Sequence, residues 1–306
     1  MSFSNEVRKE ICSGITDKDK RFACLYGMLL YCRHLSSERI SFQSKSSTVS
    51  EAFAELFRRV FHVGLTCRES ESSSGKTLYI YDITEPELIR EVFEKYRFGE
   101  GERSFCDELV STSSLGEFTA GIFLSCGSVN DPEKEYHLEF SVPCEKLAAE
   151  LVSLLGDIGV TARTTLRRGQ TIVYIKGSES IEDTLTFIGA QQCTLELMNV
   201  KIYKDVRNKA NRIANCDAAN IDKVVSAAMK QIDDINYISK VKGLDWLTDE
   251  LKELAEMRLE NVDMSLQEIG DSLSVPISRS GVNHRFKKLA KIADELRSEV
   301  MHNEQQ

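Results

Sequence analysis

Two stretches of this chain repeat one order of hydrophobic and polar positions. In FAELFRRVF (residues 53–61) and LAAELVSLL (residues 147–155) apolar residues recur at helical spacing with charges between them. Each predicts an amphipathic helix. A glycine follows each, Gly64 and Gly159, where a left-handed helix cap is expected. TLYIYDI (77–83) and TIVYIKG (171–177) are rich in β-branched and aromatic residues and predict strands, as do RISFQS (39–44) and YHLEFSV (136–142). Before these lie LYGMLLYCR (25–33) and TAGIFLSCG (119–127), apolar nearly all round and expected as buried helices. The order is apolar helix, strand, amphipathic helix, glycine, strand, strand, met twice. Cys32 and Cys126 are 94 positions apart, and so are Gly27 and Gly121. A duplicated α/β unit is the economical explanation. Asp131-Pro132, within the polar stretch 128–137, suits a turn that leads into the strand of the second unit.

Beyond residue 200 the pattern is helical throughout. Residues 218–235 restart an amphipathic helix, and residues 244–260 carry Leu247, Leu251, Leu254 and Met257 along one stripe. In SLQEIGDSL (265–273), Ser265 and Glu268 form a capping-box pattern ahead of Ile269. Pro276 disfavours helix at the residue before it, and Ser278 can cap the next helix. That helix is predicted to bury Val282, Phe286, Leu289 and Ala293. Its outer face is predicted to carry Ser280, Asn283, His284, Lys287 and Lys291, with Arg279 at the exposed first turn. Two short helices joined by a tight turn suggest a helix-turn-helix; an ordinary amphipathic pair is the alternative.

Charge changes the picture locally. The chain of 306 residues has formal net charge −9 and pI near 5.3. Residues 276–298 nevertheless carry net +4, and so do residues 201–212, which open an asparagine-rich stretch. In the first segment an arginine can fork onto guanine and an asparagine can bridge the adenine edge, which suits Arg279 and Asn283. Ser278, Ser280 and His284 can donate to bases or phosphates, and Arg285, Lys287, Lys288 and Lys291 suit phosphate contacts. In the second, Lys204, Arg207, Lys209 and Arg212 could touch phosphates or line a solvated connector helix. The partner so implied is double-stranded DNA. No apolar run is long enough to span a membrane, and the polar start MSFSNEVRKEI lacks a signal-peptide core, so a cytoplasmic protein is expected. Nine cysteines lack zinc-ligand spacing, so free thiols are expected, with no metal and no cofactor.

The paired apolar helices with Gly27 and Gly121 resemble the LAGLIDADG homing-endonuclease fold. The resemblance implies an α+β architecture of two αββαββα repeats whose first helices form a central seam about a pseudo-twofold axis. It also implies a DNA-binding saddle of sheets and an acidic residue for divalent metal at the end of each seam helix. Those acidic positions fall on Cys32 and Cys126. Thiols are poor ligands for Mg²⁺, so the nuclease scaffold is expected without its catalysis. Glu38 and Asp131 are the neighbouring carboxylates, and both lie outside the motif.

MSFSNEVRKEI, GSVNDPEKEYHLEF, NRIANCDAAN and SLQEIGDSL…PISRSGVNHRFKKLAKIA together resemble the WhiA family of bacterial transcription regulators over essentially the whole chain. The helix-turn-helix is also similar to region 4 of sigma factors. The resemblance implies repeat 1 over residues 1–112, repeat 2 over 113–200, a basic linker over 201–220 and an all-α helix-turn-helix domain over 221–306. It implies a nucleoid-associated regulator in a Gram-positive bacterium, tied to cell division and chromosome segregation, and to sporulation in spore formers. An internal pseudo-twofold makes a monomer sufficient. Two other classes of function stay open: a module contacting RNA polymerase or another regulator, and a residual metal-dependent nuclease.

Overall fold

The computed structural model describes residues 2–71, 75, 77–99 and 101–303. They form two compact units, Met1–Asp205 and Val206–Gln306.

In the first unit each repeat runs helix, two strands, helix, two strands, helix. The first comprises α2 (Lys18–Leu30), β1 (His34–Leu35), β2 (Ile40–Ser44), α3 (Ser47–Phe61), β3 (Arg68–Glu71), β4 (Thr77–Ile83) and α4 (Pro86–Lys95). The second comprises α5 (Leu115–Cys126), β5 (Gly127–Val129), β6 (Leu138–Val142), α6 (Glu145–Asp157), β7 (Arg163–Arg167), β8 (Gln170–Ile175) and α7 (Ser178–Phe187). The sheets are antiparallel with matching orders, β1-β2-β4-β3 and β5-β6-β8-β7. The fold is therefore α+β with an internal duplication. The short strands β1 and β5 escape the periodicity because two or three residues cannot display an alternation.

The seam explains the glycines. A Cβ at Gly27 would overlap the Phe118 carbonyl oxygen and lie 3.0 Å from the Ile122 nitrogen; one at Gly121 would overlap the Cys24 carbonyl oxygen and lie 3.0 Å from the Met28 nitrogen. Phe118 and Ile122 are the 94-position equivalents of Cys24 and Met28. Each glycine thus faces the other repeat's copy of one backbone site, which is the reciprocal contact of a twofold axis. Around the seam Leu25, Met28, Leu29, Ile122 and Phe123 are buried, and each sheet packs its apolar face against its helices.

One predicted cap is in a different place. After α3 the left-handed residue is His62 (φ 58°), whose N–H donates to the Arg58 carbonyl, and not Gly64. Gly159 does adopt the left-handed conformation (φ 81°), and Val160 N–H donates back to Leu155. The polar opening residues form an extra helix, α1 (Phe3–Gly14), which buries Phe3, Val7 and Ile11 at a spacing of four.

The segment expected as a linker, residues 201–220, lies inside one helix, α8 (Gln191–Val241). The division of the chain falls between Asp205 and Val206, inside the stretch expected to join the domains. At the start of α8, Gln192 and Cys193 N–H donate to the Glu10 carboxylate of α1 at 2.6 and 3.0 Å, satisfying otherwise unpaired first-turn donors.

The second unit packs the end of α8 with α9 (Asp249–Glu260), α10 (Leu266–Ser272) and α11 (Arg279–Asn303) around Ile235, Ile238, Leu254, Ile269, Val282, Phe286 and Leu289.

Gly27→Ala and Gly121→Ala should each lower stability by about 1–3 kcal/mol or more through overpacking. Gly156, in α6 with open space at its Cβ, is the control. Its alanine variant should be neutral or stabilising by up to ~1 kcal/mol. Urea unfolding of the three variants reads the difference.

Candidate nucleic-acid interface

The helix pair in the second unit is built from both local and tertiary signals. Ser265 Oγ accepts from Glu268 N–H, and the Glu268 carboxylate accepts from Ser265 N–H at 2.7 Å, so the predicted capping box forms. Those hydrogen bonds hold the Glu268 carboxyl below its ordinary range. Between α10 and α11 lie six residues, 273–278, a longer connection than the tight turn expected. It is pinned rather than loose: the Glu253 carboxylate of α9 accepts from Ser274 N–H and Oγ at 2.5 and 2.9 Å. Ile277 N–H donates to the Gly270 carbonyl at 3.1 Å. A side chain at Gly270 would overlap the Ile277 carbonyl oxygen and crowd Val282, so this glycine sets the close approach of the two helices.

Arg258 of α9 is buried. It donates to the carbonyls of Val262 and Met264 at 3.2 and 2.7 Å, and its guanidinium lies 5.4 Å from the Phe286 ring centre. Desolvation lowers its pKa from the usual arginine value. It fixes the loop that leads into α10. A second internal brace joins Arg297 of α11 to buried Asp234 of α8 at 2.8 Å.

On α11, Val282, Phe286, Leu289 and Ala293 are buried as predicted. Arg279, Ser280, Asn283, His284, Lys287, Lys288 and Lys291 are all exposed. The structure divides the predicted contacts into groups. Arg279, Lys287 and Lys288 have no carboxylate within ion-pair distance among the described residues, whereas Lys291 lies 3.8 Å from Glu295. Arg285 is drawn inward, 17% exposed and 3.2 Å from Glu250 of α9. Its role here is to join two helices, since it reaches the side of α11 that the core occupies. Ser278 is exposed, but its hydroxyl accepts from Gly281 N–H at 3.3 Å, so it works as the helix cap.

The cations around residue 205 divide in the same way. Lys204 donates to the Pro132 carbonyl at 2.7 Å and lies 5.0 Å from the Tyr136 ring centre, so it belongs to the packing of the 131–137 turn. Arg207, Lys209 and Arg212 are exposed. In the turn, the Asp131 carboxylate accepts from Glu133 N–H at 2.9 Å.

The two positions expected to correspond to nuclease acids, Cys32 and Cys126, are thiols at the ends of the seam helices. Cys32, just past α2, is buried with its Sγ 3.0 Å from the His34 carbonyl; burial pushes its pKa up to about 11 despite nearby Arg103. Cys126, the last residue of α5, is half-buried at the cleft, and desolvation raises its pKa as well. Among the described residues no group of three His, Cys, Asp or Glu side chains is placed to hold a metal ion. No described helix is long and apolar enough to cross a membrane.

Comparison with known proteins agrees with this two-part architecture. Residues 115–207 match the family model described as the WhiA LAGLIDADG-like domain, and residues 210–293 match the WhiA C-terminal HTH domain. A relative from Clostridium tetani named "Probable cell division protein WhiA" is 35% identical, aligned over 98% of this chain and 99% of its own length. The chain belongs to the WhiA family. A Clostridium perfringens relative with the same name is 37% identical over 97% of this chain and 99% of its own. The crystal structure of full-length DUF199/WhiA from Thermatoga maritima shares the fold, with TM-score 0.60 and 23% identity over 96% of this chain and 99% of that one.

The HTH match covers the whole of α9 and α10 and most of α11. Sequence reasoning singled out the outer face of α11 but missed Arg258, Gly270 and the Glu250–Arg285 pair. Gly270 leaves a signal, a glycine inside a helical pattern. Arg258 leaves none, because a lone arginine on an amphipathic helix reads as solvated.

Thiol alkylation under native conditions should label exposed Cys67 and Cys216 first, while Cys24, Cys32 and Cys193 react only after unfolding. Mass spectrometry of partially alkylated protein reads the order; early labelling of Cys32 would contradict its burial.

Proposed function

We propose that this chain is a DNA-binding transcription regulator that reads the major groove with α11. The observation that carries the reading is the exposed face of that helix. Its opposite side is fixed in the core by Val282, Phe286 and Leu289, so Arg279, Ser280, Asn283 and His284 are held rigidly at the helix start. Arg279 and Asn283 read base edges, and Lys287, Lys288 and Lys291 contact phosphates. Arg207, Lys209 and Arg212 add sequence-independent phosphate contacts.

The first unit serves in this reading as a catalytically inactive scaffold. A two-metal phosphodiesterase needs hard oxygen ligands, and the raised thiol pKa values at Cys32 and Cys126 support the absence of that chemistry. The process is cell division and chromosome segregation, in line with the relatives' name, with sporulation control in spore-forming relatives. The protein acts on the nucleoid in the cytoplasm, as a monomer whose twofold is internal.

Fluorescence anisotropy of the full chain on duplex DNA from divergent promoters tests the reading. Arg279→Ala or Asn283→Ala should relax sequence preference, each costing about 1–3 kcal/mol per lost bidentate contact. Lys288→Ala should weaken binding to all sequences and reduce the salt slope by about one. If all three variants bind every duplex as the parent does, the groove assignment fails and contact with RNA polymerase or another regulator takes its place.

A further inference from the structure

We propose that the cleft at the C-terminal ends of the two seam helices binds a compact phosphorylated small molecule. The cleft has a volume of about 1100 Å³ and is walled by both repeats and by α1. Arg33 and Lys45 enter from the first repeat, Ser128 and Thr171 from the second, and Arg8 from α1. Among the described residues that line it none is Asp or Glu, although the chain as a whole carries 48 acidic against 39 basic side chains. A cleft lined by one sign of charge between low-dielectric walls focuses its field on a ligand of the other sign.

The three cations are available to an anion. Arg33 and Lys45 are exposed, and neither lies within ion-pair distance of a described carboxylate. Arg8 is partly buried, and its partners are neutral acceptors: the Gly127 carbonyl at 2.6 Å, Ser4 Oγ at 2.9 Å, and the Ser4 carbonyl and Asn5 Oδ1 at 3.3 Å. Its charge is thus held in place by hydrogen bonds without being cancelled. Desolvation lowers its pKa, the sign of a buried cation without a counterion. Hydroxyl groups from Ser44, Ser128 and Thr171 supply further donors of the kind that phosphate oxygens accept.

The surrounding charges favour a compact ligand over a duplex. On the sheets, Arg39 and Arg68 both pair with Asp82, at 2.8 and 3.1 Å. Arg167 pairs with Glu139 at 3.2 Å, and His137 lies 3.0 Å from the same carboxylate. A DNA backbone laid along the sheets would meet these neutralised cations and their carboxylates, although Arg163 and Arg168 at the β7 edge are exposed and unpaired among the described residues. The cleft gathers three uncancelled cations in one concavity, whose volume is close to the ~300–1000 Å³ of small-molecule sites. Where a nuclease places carboxylates to hold metal ions, this chain places cations that meet an anion directly.

Isothermal titration of the full chain with pyrophosphate, with adenosine triphosphate and with a short mixed-sequence duplex tests the proposal at low and moderate salt. The expected result is saturable binding of pyrophosphate or the nucleotide. In the Arg33→Ala/Lys45→Ala double variant that binding should weaken about tenfold or more, since hydrogen bonds to charged groups are the strong ones. Both residues are exposed, so the double variant should keep the parent's melting temperature; Arg33→Lys alone should retain most of the affinity. Arg279→Ala in α11 should leave pyrophosphate binding unchanged, which separates this site from DNA recognition. The proposal is overturned if neither small probe binds the parent or if the double variant binds as the parent does. It is also overturned if only the duplex binds through Arg33 and Lys45.

Discussion

The first unit depends on how closely two helix backbones approach. At Gly27 and Gly121 the chain carries no side chain because the opposing carbonyls of Phe118 and Cys24 occupy the space where a Cβ would stand. Contact at that distance brings α2 and α5 together along their apolar lengths and buries Leu25, Leu29, Ile122 and Phe123 completely. Each sheet is then fixed to its own seam helix. The reciprocity of the two contacts makes the arrangement nearly symmetric, so the ends of both helices reach the same cleft. A substitution at either glycine acts on both repeats at once.

Charge is handled differently in the two units, and the difference follows from what each cation can reach. On the sheets of the first unit Arg39, Arg68 and Arg167 find Asp82 and Glu139 across neighbouring strands and are neutralised. On α11 the helix geometry separates the faces. Arg285 and Arg297, turned toward the neighbouring helices, meet Glu250 and Asp234, whereas Arg279, Lys287 and Lys288 project away from them. Net charge does not show this sorting, since it adds paired and unpaired groups alike. An acidic protein can therefore present a basic helix face, provided that its carboxylates are paired elsewhere.

α1 and α9 have comparable tasks. Glu10 satisfies the first turn of α8, and Arg8 reaches across to Gly127. Glu253 and Arg258 hold the two ends of α10 through backbone groups. In each case a charged side chain on one helix satisfies the unpaired backbone groups of another segment. These bonds hold the starts of α8 and α10 and the turn after α10, which limits the freedom of the side chains that follow.

Much of this was legible in the sequence. The 94-position repeat, the amphipathic helices, the capping box at Ser265 and the buried stripe of α11 follow from periodicities of two and 3.6 and from local hydrogen bonding. These signals are local, so a single chain displays them. The left-handed cap at His62 in place of Gly64 and the six-residue turn after α10 were decided by packing, because a weak local preference yields to tertiary contacts. Residues 201–220 are nearly all exposed, and their helix is the solvated connector that the charge pattern had left open beside a phosphate-contacting segment. Which cations are free was decided only in three dimensions. Arg285 and Lys287 look alike in sequence, yet one meets Glu250, 35 positions away, and the other meets none among the described residues. The same holds for the cleft: Arg8, Arg33, Lys45 and Thr171 share no motif and meet only when the two repeats close around the seam.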